Sequence, residues 1–184
     1  MTSAENLTVW TIGHSTRPIE EFLSLLAEHR IELVIDVRKF PVSKRHSQFN
    51  EANLRASLAD AGVDYLWLPE LGGRRTPRRD SPNTGWRNAG FRGYADHMMT
   101  REFREGLERV IESAQTSRAA LMCAESVWWR CHRGLIADAL VVAGVKVVHI
   151  MAEGKAVEHP MTPPARVVDG RLSYSEEGDQ TELL

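Results

Sequence analysis

The sequence has few cysteines and no long apolar run. Its 184 residues include only two cysteines, Cys123 and Cys131, which is too few for a disulfide-dense secreted scaffold. No apolar run approaches the roughly 20 residues that span a bilayer. The first residues also lack the positive flank and apolar core of a signal peptide. These absences predict a cytoplasmic protein with no membrane partner.

Several motifs that define nucleotide and metal sites are also missing. No Gly-x-Gly-x-x-Gly follows a strand, and the Walker-like spacing of Gly85 and Gly90 lacks the Lys and Ser or Thr that should follow. The two cysteines are eight positions apart, so there is no Cys-x-x-Cys motif. A phosphatase-like Cys-x₅-Arg loop from Cys123 would need arginine where the chain has Trp129. The sequence therefore leaves the cofactor unknown, and it also leaves the oligomeric state open.

Length and composition are those of one globular domain. The 184 residues are 42% hydrophobic and 26% charged, and a chain of this size buries roughly two-thirds of its unfolded surface. The net charge of −2 is not that of a general polyanion binder. We predict a single domain over residues 1–174. The acidic residues 175–184 are predicted to be a disordered tail.

The hydrophobic pattern predicts an α/β fold. Helical spacing or helix caps at 18–30, 50–62, 132–143 and from Thr100 onward alternate with β-rich runs, while 74–92 is predicted to be a long loop. Such alternation is typical of a mostly parallel five-stranded sheet flanked by helices, Rossmann-like or flavodoxin-like. Asp169-Gly170 predicts a C-terminal β-hairpin. The five predicted strands are 8–12, 33–37, 63–68, 119–123 and 145–150.

Parallel strands place their C-terminal ends on one edge of the sheet, and two polar clusters follow the first two strands. His14 and Ser15 come after the first strand, where a turn before a helix either binds an anion or merely caps the helix. The imidazole of His14 is also predicted to be catalytic, as a general acid. Asp36 interrupts the second apolar strand, and Arg38 follows it. The carboxylate is predicted to be either a base or half of a structural ion pair, and Arg38 an anion-binding group.

The densest group of reactive side chains lies around the second cysteine. Glu125 follows the fourth strand, and Cys131, His132 and Arg133 begin the next helix. A helix start and neighbouring positive charge lower the pKa of a thiol. This predicts catalytic roles for Glu125, Cys131 and His132 and an anion-binding role for Arg133. The alternative is that the cysteines are small buried hydrophobic residues.

The predicted loop 74–92 carries an excess of arginine. Basic loops with interleaved aromatic residues suit phosphate backbones and stacked bases, although most charge runs are simply solvated surface. A loop of this length in a compact domain is typical of a lid or binding segment. The residues predicted to contact nucleic acid are Arg74, Arg75, Arg78, Arg79, Trp86 and Arg87.

Together these motifs resemble the family called domain of unknown function 488, over most of the chain. The family is bacterial and has no assigned biochemical role, so the resemblance implies an α/β fold and a set of motif positions. Those positions are His14, Asp36, Arg38, Glu125, Cys131, His132 and Arg133. The resemblance rests on Thr11-Ile-Gly-His-Ser, Asp36-Val-Arg with Pro41 and Ser43, Leu71-Gly-Gly, Trp86-Arg-Asn, Phe91-Arg-Gly-Tyr, Met122-Cys-Ala-Glu and Cys131-His-Arg.

Three functions fit these observations. The first is an enzyme that acts on a phosphate-bearing substrate, a nucleotide or nucleic acid, with acid–base groups at the strand ends. The second is a nucleic-acid-binding module that works through the arginine-rich loop without chemistry. The third is a thiol or metal centre built on Cys131 and His132, with His14 as a further metal ligand.

Overall fold

The structure is a computed structural model that describes residues 7–176. The described chain alternates strands and helices through β5 and ends with three further strands. The strands are β1 (Thr8–Gly13), β2 (Leu33–Asp36), β3 (Asp64–Trp67), β4 (Ala119–Cys123), β5 (Lys146–Ala152), β6 (Lys155–Glu158), β7 (Arg166–Val168) and β8 (Arg171–Ser173). The helices are α1 (Ile19–Glu28), α2 (Glu51–Asp60), α3 (Ala89–Met98), α4 (Arg101–Thr116) and α5 (Arg133–Val142).

The main sheet is mixed, with five parallel strands and one antiparallel edge strand. The strand order is β3-β2-β4-β1-β5-β6, and β6 pairs antiparallel with β5. The mostly parallel sheet flanked by helices is as predicted. The order of its parallel strands differs from both the Rossmann order 3-2-1-4-5 and the flavodoxin order 2-1-3-4-5. Here β4 lies between β2 and β1.

Each face of the sheet has its own apolar core. On one face, Ile12 and Val34 pack with α1 and α2 residues such as Phe22 and Leu54. On the other face, Val9 and Ile35 pack with residues from α3, α4 and α5. Neighbouring residues of one strand serve opposite faces because side chains alternate along a strand. All five residues of β4 are buried, as expected for a strand covered on both sides.

Helix ends follow the local sequence at several positions. The Thr100 side chain accepts a hydrogen bond from the Phe103 amide and caps α4, as predicted. Gly62 and Gly144, the predicted stops of two helices, have positive φ angles of 72° and 84°. Asn50 stands at the start of α2, but its side chain accepts from the Ser43 amide instead of capping the helix.

Two elements differ from the sequence prediction. The segment predicted to be a loop over 74–92 already contains the start of α3 at Ala89, capped by Asn88. The sheet also has a sixth strand, β6, where five were predicted. Both signals are weak in the sequence, since α3 contains two glycines and every residue of β6 is exposed.

The C-terminal hairpin of β7 and β8 forms as predicted around Asp169 and Gly170. Tyr174, which follows it, is buried and donates a hydrogen bond to Asp138 of α5. Most of the predicted disordered tail, from residue 177 onward, lies outside the described residues. Within residues 7–176, no helix is long and apolar enough to cross a membrane.

Candidate functional site

The end of β4 and the start of α5 bring the two cysteines together. Cys123 is the last residue of β4, and Cys131 directly precedes His132, the N-cap residue of α5. The two Sγ atoms are 2.8 Å apart, and both side chains are buried. The intervening loop, 124–130, is closed by a short 3₁₀ turn. The parallel topology thus places both thiols at the C-terminal edge of the sheet.

A close backbone approach fixes this loop above β1. A Cβ atom at Gly13 would lie 1.7 Å from the carbonyl oxygen of Glu125. Only glycine leaves room for the loop to cross the end of the strand at this distance. Its φ is not positive, so absence of a side chain, not special backbone geometry, explains this glycine.

His132 is oriented by a backbone carbonyl and faces Cys131. Its Nε2 lies 2.9 Å from the carbonyl oxygen of Val37. A carbonyl can only accept, so Nε2 carries the proton and Nδ1 of the neutral ring is an acceptor. Nδ1 is 3.5 Å from the Cys131 Sγ. The pair matches the arrangement of an activated nucleophile, in which a third group orients the base.

The Cys131 thiol is more acidic than an ordinary cysteine. Burial alone raises the pKa of Cys131, but the hydrogen bond from Cys123 and the charge of Arg133 outweigh burial and bring it from 9.0 to about 7. Burial and the same hydrogen bond raise the pKa of Cys123 well above its usual value. Burial also lowers the pKa of His132. Cys131 is therefore the more acidic thiol of the pair, and Cys123 is the thiol that donates to it.

Arg133 lies behind the two sulfurs, with its guanidinium engaged by the protein. Its side chain is buried. Nε donates to the Cys123 Sγ at 3.0 Å, and Nη1 donates to the Thr11 hydroxyl at 3.0 Å. Nη2 donates to the carbonyl oxygens of Glu125 and Ser126 at 2.8 and 3.4 Å. Arg133 thus holds the loop in place and acidifies Cys131, rather than presenting free donors to an anion as the sequence predicted.

Asp36 and Arg38 form a buried ion pair at the end of β2. The two Asp36 carboxylate oxygens lie 2.9 and 2.6 Å from Nε and Nη2 of Arg38. The carboxylate also accepts from the Arg38 amide and the Tyr65 hydroxyl. Burial and the Asp36 charge raise the pKa of Tyr65. With four hydrogen bonds, Asp36 is placed to orient Arg38, and this geometry favours the structural alternative over a base.

His14 belongs to the same buried network. Its Nδ1 is 2.8 Å from the Ser15 carbonyl oxygen, its Nε2 is 3.4 Å from Nη1 of Arg38, and its ring stacks on Phe49. Burial lowers the pKa of His14 from 6.5 to about 4, so the ring is neutral. Ser15 has a positive φ of 49° and donates its amide to the Ala124 carbonyl. Neither residue caps α1, whose N-cap is Pro18 without a side-chain hydrogen bond.

A cleft of about 460 Å³ opens above the cysteine pair. Its walls come from the loops that follow β2, β3 and β4 and from the first turns of α3. In the described part of the chain, four cationic side chains and one carboxyl line it, and Arg38 is the one cation among them that is paired with Asp36. The other three outnumber the carboxyl, so the cleft is positively charged. The cations are Arg38, Lys39, Arg74 and Arg130, the carboxyl is Glu125, and Phe40, Val42, Phe91 and Tyr94 supply apolar surface.

The arginine-rich loop contributes to the cleft through one of its predicted contacts. Arg74 lines the cleft and is exposed, with a positive φ of 59°. Arg75 donates to the Gly72 carbonyl. Arg78 pairs with Asp80 at 3.3 Å. The predicted residues outside the cleft lining are Arg75, Arg78, Arg79, Trp86 and Arg87.

Trp86 packs inward instead of offering a stacking surface. Its ring centroid is 4.9 Å from Phe91 and 5.7 Å from Tyr174, and the side chain joins the core on the α5 face of the sheet. Its indole Nε1 is buried without a hydrogen-bond partner. This placement favours a structural role over base stacking.

A buried relay that the sequence reasoning missed supports Arg133 from behind. Thr11 Oγ1, which accepts from Arg133, lies 2.6 Å from His149 Nδ1. His149 Nε2 is 2.8 Å from His159 Nδ1, and His159 Nε2 is 2.8 Å from the Asp138 carboxylate. Each group can donate to the next, so one set of neutral tautomers satisfies the whole chain. The available signal was polar residues inside apolar runs, as at Asp36.

The proposed metal ligands do not meet. His14 bonds to Ser15 and Arg38, whereas His132 bonds to Val37 and faces Cys131. Across residues 7–176, no group of three or more His, Cys, Asp or Glu side chains is arranged to hold a metal ion. Of the predicted thiol or metal centre, only the thiol version is left, and it rests on Cys131 and His132.

Comparison with known proteins gives a family and no closer relative. No curated protein and no solved structure matches the chain. The family described as Domain of unknown function DUF488 matches residues 18–140, about two-thirds of the sequence. The match includes Asp36, Arg38 and the whole segment from Cys123 to Arg133, and it leaves out β1 with His14. Sequence motifs and the family match agree, and the chain belongs to the DUF488 family.

Proposed function

We propose that the protein is an enzyme that uses Cys131 as a nucleophile on a phosphate-bearing substrate, a nucleotide or nucleic acid. The observation that carries the proposal is the Cys131–His132 pair at the floor of a positively charged cleft. A thiol with a lowered pKa, a neutral imidazole beside it and a third group that orients the imidazole together form a nucleophilic site.

The chemistry follows from the contacts around the sulfur. His132 Nδ1 takes the Cys131 proton, and the thiolate attacks the electrophilic centre of the bound substrate. His132 then gives this proton to the leaving atom as the bond to that atom breaks. Water then attacks the covalent intermediate while Glu125, the carboxyl of the cleft, takes a proton from it. The bond to sulfur breaks, the second product leaves, and the proton passes from Glu125 to Cys131 to restore the thiol. Arg133 and Cys123 stabilise the thiolate before the attack and after the release.

The substrate class follows from the cleft walls. Lys39, Arg74 and Arg130 offer positive charge around Cys131, and arginine binds phosphate oxygens by a planar fork. Phe40 is 61% exposed beside them and offers an apolar surface for a flat ring. A nucleotide combines these two features, since it carries both an anionic phosphate and an aromatic base.

The first experiment measures alkylation of Cys131 as a function of pH. With iodoacetamide, the rate should reach half its maximum near pH 7, because the thiolate is the reactive form. The positive cleft should raise the alkylation rate with anionic iodoacetate relative to the rate with neutral iodoacetamide. Adenosine monophosphate should slow both reactions by occupying the cleft. Arg74→Ala should weaken the preference for iodoacetate and the nucleotide protection, and Arg79→Ala, outside the cleft, should leave both unchanged.

Turnover is tested on a panel of nucleotides and short oligonucleotides. Cys131→Ser should abolish turnover, and His132→Gln should reduce the turnover rate about 100-fold. If the rate of Cys131 alkylation reached half its maximum only near pH 9, the proposal that Cys131 is the nucleophile would be wrong. Undiminished turnover in Cys131→Ser would contradict it as well. If no substrate turned over and Cys131→Ser bound oligonucleotide like the native chain with a steep salt dependence, a binding module would replace the enzyme.

A further inference from the structure

The second cysteine forms and breaks no covalent bond in the proposed reaction. Cys123 is 2% exposed, and its Sγ lies 2.8 Å from that of Cys131. The two residues flank a loop of seven residues, 124–130, so joining them would close only a short ring. The sequence contains no other cysteine to compete for either sulfur.

The surroundings of the two sulfurs give them different roles in oxidation. Cys131 lines the cleft and carries the acidic thiol, which is the pattern of a cysteine that peroxides attack. Cys123 lies behind it with a positive group close by, since Arg133 Nε is 3.0 Å from its sulfur. A cation at that distance stabilises the Cys123 thiolate as it forms during an attack on Cys131.

We propose that Cys123 and Cys131 form a reversible intramolecular disulfide when a peroxide such as hydrogen peroxide enters the cleft. This inference stands on the geometry of the two sulfurs and does not require the proposed reaction. If Cys131 is also the nucleophile, the disulfide removes it from the cleft and stops turnover until a dithiol reduces the bond.

The oxidation balances in two steps. The Cys131 thiolate attacks one peroxide oxygen, the O–O bond breaks, and the leaving hydroxide takes a proton to become water, which leaves a sulfenic acid on Cys131. Cys123 then attacks the Cys131 sulfur, the S–O bond breaks, and the released hydroxide takes the Cys123 proton as a second water. Both sulfurs are oxidised by one electron each, and the peroxide is reduced to two waters.

The test treats the full chain with hydrogen peroxide, blocks free thiols with N-ethylmaleimide and measures the mass. The reduced chain should take up two labels and the oxidised chain none, with a loss of about 2 Da. Trypsin cuts after Arg118, Arg130 and Arg133, so the two cysteines fall on separate peptides that only a disulfide joins. Dithiothreitol should restore both labels.

A matched variant separates the two roles. In Cys123→Ser, peroxide should stop at a Cys131 sulfenic acid that dimedone traps, while Cys131→Ser should leave Cys123 unoxidised. Two outcomes overturn the proposal in the native chain. One is a Cys131 sulfinic acid with Cys123 still free. The other is a disulfide only between two chains. Both readouts are masses, so they hold whether or not a substrate turns over.

Discussion

Arg133 and Asp138 place two opposite charges inside one helix. Both side chains are almost fully enclosed, at 1% and 0% exposure, and burying a charge is costly unless it is paired or hydrogen-bonded. Thr11, His149 and His159 bridge them, so the guanidinium at one end and the carboxylate at the other are both satisfied. The cation that acidifies the Cys131 thiol is therefore held by a network of five residues.

At the residue scale, Gly13→Ala should destabilise the protein. The new methyl group would meet the Glu125 carbonyl at 1.7 Å, so either the loop or β1 must move. We expect a loss of at least about 2 kcal/mol in the free energy of unfolding, in the range of overpacked cores. Urea denaturation measures the loss.

The control is another glycine-to-alanine change. At Gly90, the nearest neighbour of an added Cβ is the Asn88 side chain at 3.1 Å, and the position lies in the first turn of α3. Its effect should stay within about 1 kcal/mol. Equal losses in both variants would contradict the close-approach explanation.

Single residues were predictable where one local rule applied. Asp36 stood in an apolar strand, which indicates a buried partner, and Arg38 two residues away is that partner. The same rule applies to Asp138 and His149, whose runs are equally apolar. Their contacts come from distant segments, so no spacing in the sequence could reveal the relay.

At the element scale, Asp96 of α3 holds the arginine-rich loop in a defined shape. Its carboxylate accepts from the Arg78 amide, the Ser81 hydroxyl and the Asn83 amide group. Burial raises the pKa of Asp96, but these hydrogen bonds outweigh burial and lower it. The loop therefore packs on α3 as a fixed structure, although most of its arginine side chains, those of Arg74, Arg78, Arg79 and Arg87, are exposed.

Asp96→Ala should release this loop while the sheet stays folded. Three hydrogen bonds to a charged acceptor would be lost, each worth about 1.5–3 kcal/mol before relaxation. Limited proteolysis with trypsin should then cut after Arg78 or Arg79 at least about 10-fold faster than in the native chain. The control is Asp80→Ala, an exposed carboxylate on the same loop. Equal cleavage in the two variants would rule out the anchor.

Elements with strong periodicity were predictable, and elements shaped by tertiary contact were not. Gly93 lies in α3 because a Cβ there would come 2.4 Å from the Arg75 carbonyl, so packing against the loop selects a poor helix former. The strand β6 forms because it pairs with β5 at the edge of the sheet. Neither reason is visible in a window of the sequence.

At the scale of the whole molecule, buried neutral histidines make stability depend on pH. Burial lowers the pKa of His14 from 6.5 to about 4, and burial lowers that of His149 to about 2. Below pH 6.5 the unfolded chain binds protons that the folded chain cannot accept. The stability that these groups contribute is therefore complete above pH 6.5 and is lost as the pH falls, toward 4 for His14 and toward 2 for His149.

Each of these histidines should lower the free energy of unfolding by up to about 1.4 kcal/mol per pH unit in that window. Urea denaturation at pH 7.5, 6.5, 5.5 and 4.5 measures the slope. His14→Gln and His149→Gln should each make the slope shallower, although both variants are less stable at pH 7.5. A slope unchanged from the native chain in both variants would contradict this account.

The class of fold was predictable, but the order of the strands was not. Alternation of strands and helices indicates a parallel sheet whatever the order in which its strands pair. The insertion of β4 between β2 and β1 is a choice between long-range pairings with similar local patterns. The site depends on that choice, because it places Cys123 of β4 beside Gly13 of β1.

The position of β1 also governs how the chain can fold during synthesis. Thr11 pairs with Leu121 and Thr8 with Lys146, in both cases more than a hundred residues later in the chain. The first strand to leave the ribosome therefore has no partner until β4 and β5 have been made. Its apolar residues stay exposed on the nascent chain in that interval, and such non-local pairing slows folding. The strand β1, whose end lies beside Cys123, is thus made before its partners and enters the sheet late.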